Sequence, residues 1–351
     1  MHLERVKWYA GAVLATLAAA SAARADGSEQ PLFASDEALE VRITAPLATL
    51  MRHRSDTEYL AGTLAYVDAQ GGRRSLDLKL RARGEYRRQR KTCDLPPIRL
   101  NFRKKQVEGT VFAGQDKLKL VTHCNPARDA YEQYVLKEYL AYRIFNAVTE
   151  HSFRARLLRI TYVDSDRGGR ESTRYGFVIE DDDLLARRTG ADVVRIPHTG
   201  YPSLEPRQAA LVAVFQYLIG NTDFSLVAGA RDDDCCHNVA LFTAGDGGYL
   251  AIPYDFDFSG LVNARYAEPN PKLRIRSVVR RLYRGACLHN DYVDAAVDRF
   301  RSSEESVMHA ARTVEGVDEK VRATALRYLS AFYEDIADTR SVEKNLLEKC
   351  L

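Results

Sequence analysis

From position 41 to 122 apolar residues recur at every second place, and this alternation limits the first half of the chain more than any other feature. Val41 and Ile43 begin it, and Leu64 and Tyr66 follow. Leu76, Leu78, Leu80 and Ala82 come after the turn signal Gln70-Gly71-Gly72. Ile98, Leu100 and Phe102, then Leu118 and Leu120, complete the series. A period of two bounded by Gly and Pro predicts antiparallel strands with one buried face. Residues 131–148 switch to helical spacing, and 157–163 with 175–179 predict another hairpin. After Tyr201-Pro202 the pattern is mainly helical. Ser203 is the expected N-cap of a helix ending at Ile219. Two short strands, 238–242 and 249–252, flank the turn Gly245-Asp246-Gly247-Gly248. Helices over about 290–313 and 315–337 close the chain. The fold class is therefore α+β, with a β-rich first half carrying one notable helix and a mainly helical second half.

The N-terminus reads as a targeting segment. Arg5 and Lys7 precede the apolar run 8–23, and Ala23-Arg24-Ala25 fits an A-x-A cleavage rule. The expected divisions are a signal peptide at 1–25, a polar segment at 26–38, a β-rich unit at 39–185 and a helical unit at 186–351. No membrane span is expected after cleavage, and the protein is expected to be periplasmic or secreted. With 46% hydrophobic and 28% charged residues, the chain is not disordered, collagenous or coiled coil as a whole. A formal charge of +3 does not argue for a nucleic-acid partner.

All six cysteines, Cys93, Cys124, Cys235, Cys236, Cys287 and Cys350, lie downstream of that segment. An even number in an exported chain favours disulfides over zinc, and the spacings match no zinc motif. The expected pairs are Cys93 with Cys124, and Cys235 or Cys236 with Cys287.

Two charged constellations carry the chemistry. On the 131–148 helix, Glu138 falls in the middle of the arc formed by Tyr131, Tyr134, Val135, Ala141, Tyr142, Phe145 and Val148. A buried carboxylate needs a cation or donors. Lys119 is the first candidate, with Lys117 or a nearby arginine as alternatives. A lysine so placed can hold phosphate oxygens. The second set is Asp223 after a helix, Asn238 at the start of a hairpin, and Asp255 with Asp257 after its second strand. Asp223 suits a base that takes or orients an acceptor hydroxyl. Asn238 and Asp255 suit Mg²⁺ on nucleotide phosphates, with Asp257 as the rival of Asp255. The insert between Asp223 and Asn238 holds Asp232-Asp233-Asp234 and Cys235-Cys236, and reads as a solvated, disulfide-tied loop. Neither a Ser-His-Asp set nor an HExxH motif is present, which argues against a serine hydrolase or a zincin.

With these residues in view, the stretch 76–290 resembles the spore-coat H (CotH) kinase-like family. Arg81-Ala82-Arg83-Gly84 and the following strand 98–102 resemble its early RG segment. Tyr175-Gly176-Phe177-Val178-Ile179-Glu180 resembles the strand that joins its lobes. Asn221-Thr222-Asp223, Asn238 and Pro253-Tyr254-Asp255-Phe256-Asp257 resemble its catalytic and metal segments. The resemblance implies a two-lobed kinase-like fold, with a β-rich N-lobe holding one key helix and a mainly helical C-lobe. It implies ATP and Mg²⁺ as cofactors, and transfer of phosphoryl to a protein Ser/Thr or another hydroxyl, on a protein or surface polymer. Arg83, Lys119, Glu138, Glu180 and Tyr254 would then surround the nucleotide, Tyr254 stacking on the base. No glycine-rich phosphate loop is present, so Arg83-Gly84 and the basic residues after it would serve instead. The alternatives are an exported pseudokinase or binding module, and a glycan-active enzyme using Asp223 and Asp255 as acid and base.

Overall fold

The computed structural model describes residues 30–125, 127–229, 234–245 and 247–351. The expected signal peptide, residues 26–29 of the polar segment, Asp232, Asp233 and Asp246 of the expected hairpin turn lie outside these. In chain order the elements are β1 (Leu39–Ala45), α1 (Leu47–His53), β2 (Leu60–Val67), β3 (Arg73–Ala82), β4 (Ile98–Phe102), α2 (Lys104–Val107), β5 (Lys117–Val121) and α3 (Asp129–Val148). Next come β6 (Ala155–Asp164), β7 (Arg170–Ile179), α4 (Asp182–Thr189), β8 (Val193–Val194), α5 (Pro206–Ile219), β9 (Val239–Thr243) and β10 (Tyr249–Pro253). Four helices follow, α6 (Val293–Ser302), α7 (Glu304–Thr313), α8 (Glu319–Asp335) and α9 (Thr339–Asn345).

Strands β1 to β7 form a closed barrel in the order β1-β2-β3-β4-β5-β7-β6. Six neighbouring pairs are antiparallel, and β1 closes the ring by pairing in parallel with β6, Val41 opposite Ile160. The alternating residues fill its interior: Ile43, Leu64, Leu80, Ile98, Leu100, Leu118, Leu120 and Ile160 are all fully buried. Closure satisfies the backbone groups that a free β1 edge would expose.

This closed mixed barrel with helices overturns the two-lobed kinase-like fold implied by the resemblance. Alternation reports which face of a strand is buried, but not which remote strand meets its edge. The partner of β1 lies more than a hundred residues downstream, beyond any local pattern.

Helix α3 lies outside the barrel. Tyr139 and Tyr142 pack on Phe177 of β7 at 5.8 and 5.5 Å, and Phe145 stacks on Phe215 of α5 at 4.3 Å. It is therefore buried on more than the one arc that its sequence marks, and Leu136, Leu140 and Ile144 join the same core as α5 to α8. A three-stranded sheet, β10-β9-β8, completes this second core.

Local boundaries also differ from expectation. Glu205, not Ser203, caps α5, accepting from the backbone N–H groups of Arg207 and Gln208. The first of the two final helices breaks at Ser303, and the second starts at Glu319.

Disulfides join Cys93 to Cys124, Cys235 to Cys236 and Cys287 to Cys350. The first is as expected. The expected link from Cys235 or Cys236 to Cys287 is not formed. The chain end instead runs beside 285–287, with Cys287 N donating to Leu351 O at 3.1 Å and Leu351 N to Gly285 O at 2.8 Å. That backbone pairing delivers Cys350 to Cys287. Among the described residues no helix is long and apolar enough to cross a membrane.

Candidate active site

The β9–β10 hairpin aligns Pro253 with Val239, and Tyr254 N donates to Asn238 O at 3.0 Å. Asn238 and Asp255 therefore flank the same hairpin end. Both adopt positive φ, 54° and 61°. Asp255 N donates to the Tyr142 hydroxyl of α3 at 3.0 Å, which ties the turn to the helix.

Asp223 follows the C-terminus of α5. Gly220 ends that helix at φ 64°, its N–H capping the last turn, and a Cβ there would collide with the Tyr328 hydroxyl. The side chain of Asn221 then accepts from Asp223 N at 2.9 Å. Asn238 Nδ2 donates to Asp223 O at 2.7 Å and to its carboxylate at 3.1 Å. His237 Nε2 meets the other carboxylate oxygen at 2.9 Å. This contact holds the His237 imidazole above its ordinary value, with the Asp255 charge adding to the effect. Asp223, Asn238 and Asp255 are thus brought together, and half of Asn238 is already committed to Asp223.

Glu138 is 1% exposed, as its arc predicts, but its partner is Arg87 rather than Lys119. Arg87 Nη1 and Nη2 reach its carboxylate at 3.1 and 3.4 Å. The same guanidinium meets Asp255 at 3.4 Å and Asp257 at 3.3 Å. One cation therefore faces three carboxylates. Burial, together with the neighbouring carboxylates, raises the Glu138 and Asp257 carboxyls despite Arg87. Asp257 is 5% exposed and held by Arg87 and the Tyr266 hydroxyl, so it is poorly placed for a solvent-borne ion.

Lys119 pairs with Asp182 at 3.1 Å and lies over the Tyr254 and Phe153 rings, at 5.2 and 5.6 Å from their centres. Burial lowers its ammonium, and Asp182 partly restores it. Lys117 is exposed. Arg83 lies within the electrostatic reach of Asp255, Arg87, Arg99 and Lys119, and burial works against its charge. It forms no ion pair among the described residues. Glu180 is fully buried: it accepts from Gln30 Nε2, Arg154 N and Arg188, and so holds β7 to its surroundings rather than facing a ligand.

The residues that sequence reasoning did not single out are Arg87, His237, Tyr142, Tyr266 and Arg284. Arg87 lay within the basic run after Gly84, and His237 beside Asn238; only proximity in the fold distinguishes them. A cavity of about 970 Å³ between α3 and α7 contains none of the candidate residues.

The oxygens left open are informative for a divalent cation. The Asn238 amide oxygen and one Asp255 oxygen accept no protein hydrogen bond among the described residues. Among the described residues no group of three or more His, Cys, Asp or Glu side chains gathers to hold a metal ion. Mg²⁺ on a nucleotide takes one or two protein oxygens and draws the rest from phosphates and water, so an ion at this pair would depend on the nucleotide. Compared with known proteins, the sequence matches no protein-family model and shows no significant match to a curated protein.

Proposed function

We propose that the chain is an exported phosphotransferase that moves a phosphoryl group from Mg²⁺-nucleotide to a hydroxyl. The observation that carries this reading is a half-buried guanidinium, Arg83, that forms no ion pair among the described residues and lies within electrostatic reach of the partly exposed Asp255 carboxylate. Such a guanidinium lacks an anion, and phosphate oxygens would supply one. Function is argued from this site and not from fold, since the barrel is not the architecture that the CotH resemblance implied. Three disulfides fit an oxidising compartment.

In the proposed reaction Arg83 and Lys119 hold phosphate oxygens, and Tyr254 offers a face to the base. Asp255 and Asn238 would hold Mg²⁺, which neutralises charge on the phosphates. Asp223 accepts the proton of the acceptor hydroxyl. The freed oxygen attacks the terminal phosphorus, and the bond to the bridging oxygen breaks. The nucleoside diphosphate leaves with that electron pair. His237 and Asn238 keep Asp223 oriented. A second reading, nucleotide binding without transfer, draws on Arg87, which already neutralises part of Asp255. Incubating the disulfide-intact protein with γ-labelled ATP, Mg²⁺ and hydroxyl-bearing peptides tests the proposal. Label transfer that depends on Asp223 supports it, whereas tight nucleotide binding without transfer favours the second reading.

A further inference from the structure

Between Asp257 and Asp291 the chain carries seven arginines and lysines and a single acid, Glu268. The whole chain is nearly balanced, 51 against 48, so this is a local surplus. Residues 259–286 contain no regular helix or strand, yet they are fixed against the loop that carries Asp223. Gly260 N donates to Gly220 O at 3.1 Å, and Leu261 N to Ile219 O at 2.9 Å. Arg281 Nε donates to Leu218 O at 3.2 Å. Arg284 Nη1 donates to both Thr222 O and Phe224 O at 2.7 Å, bracketing Asp223. Ile275 and Val278 are buried and anchor the middle of the segment.

The inward arginines thus hold the loop, and the outward cations have no such work. Lys272, Arg274, Arg276 and Arg280 are exposed, and among the described residues none of their side chains forms an ion pair or hydrogen bond. Four unpaired cations repel one another, so an arrangement of this kind is relieved by an anionic partner.

We propose that this basic face docks the acceptor, an acidic polypeptide whose serine or threonine hydroxyl is presented to Asp223. The inference rests on the phosphotransfer reading for the role of Asp223, and on the segment itself for the charge of the partner. Three of the four cations are arginines, whose planar fork matches carboxylates in pairs. Exposed Val279, next to Arg280, sets apolar surface beside the charge. Polypeptide side chains offer both kinds of contact, whereas a bare polyanion offers one.

Fluorescence anisotropy with a labelled Glu- and Asp-rich peptide containing one serine tests the surface. The parent is compared with the quadruple variant K272Q/R274Q/R276Q/R280Q. The expected result is binding that weakens with salt and falls on the order of tenfold or more in the variant, with the melting temperature unchanged. Equal binding by parent and variant overturns the proposal, as does tighter binding of anionic vesicles or single-stranded DNA than of the peptide. Mg²⁺-ATP titration of the same samples separates the two ideas. A parent that binds the peptide through these four residues but binds no nucleotide keeps the docking surface and removes the phosphotransfer reading.

Discussion

Two buried guanidinium–carboxylate groups, one around Glu138 on α3 and one around Glu180 just after β7, are built differently. Around Glu180, one carboxylate accepts four hydrogen bonds, from Gln30, Arg154 N and two nitrogens of Arg188. Around Glu138, one guanidinium is shared among three carboxylates, and a second, Arg83, stands nearby with no ion pair among the described residues. The first group is saturated and closed to solvent. The second has charge of both signs left over and opens through Asp255, whose side chain is 38% exposed. Saturation is what a structural ion pair needs, because any unmet charge in a buried place is costly. Leftover charge at an opening is what a charged ligand needs.

The largest expected effect is catalytic. Asp223→Asn should reduce turnover by about 10²–10⁴-fold, the range for a lost general base, while Mg²⁺-nucleotide affinity stays within about twofold. Steady-state kinetics beside calorimetry read both numbers. A variant that loses nucleotide affinity instead would place Asp223 on the metal.

The two carboxylates should then differ in kind. Glu180→Ala leaves the buried Arg188 with only the exposed Glu150 carboxylate, 3.4 Å away, as counter-charge, and should cost about 3 kcal/mol of stability by urea unfolding. Glu138→Gln removes one of three carboxylates competing for Arg87, and should cost about 1 kcal/mol or less while weakening nucleotide binding. Equal losses of stability would erase the distinction between the groups. The Cys93–Cys124 bridge closes a loop with a separation of 31 residues. In the chain-entropy account its removal by paired serine substitutions should cost about 3–4 kcal/mol.

The remaining effects, graded with pH, concern titration. His123 is 2% exposed, neither ring nitrogen finds a partner among the described residues, and burial depresses its imidazole to about 3. The unfolded chain protonates this residue near pH ~6.5. Stability should therefore be intact above that pH and decline by about 1.4 kcal/mol per unit as pH falls toward the folded value. His123→Phe should flatten that slope in acid unfolding curves. His237 moves the other way: its pairing with Asp223 is fully present below its unfolded value and is lost as pH rises through the raised folded value. An NMR titration should show its midpoint falling in Asp223→Asn.

Much of the local structure was legible in the sequence, for reasons that particular residues make plain. Alternation marked β1 to β5 because each has one face in the barrel core. The anomaly of Glu138 on an apolar arc announced a buried ion pair. The nearness of Asn238 and Asp255 was legible because hairpin start and hairpin end meet when β9 pairs with β10. That Asp223 joins Asn238 is settled by hydrogen bonds of the α5 end, which the strand pairing does not dictate. What the sequence hid was pairing at a distance. Nothing local to β1 names β6 as its parallel neighbour, so barrel closure was missed. Lys119 faces the side expected of it, yet Asp182 at the start of α4 captures it. Arg87 then takes Glu138 from a loop whose many basic residues look alike. Helix α4 was missed because it has only eight residues, half of them charged.

Isothermal titration of Mg²⁺-ATP into the disulfide-intact protein tests most directly whether the surplus charge around Arg87 and Arg83 is a nucleotide site. The account predicts saturable binding that requires Mg²⁺, with the metal-dependent part lost in Asp255→Asn, since an amide neutralises less Mg²⁺ charge than a carboxylate. Absence of binding by the parent, or equal Mg²⁺-dependent binding by Asp255→Asn, would contradict it.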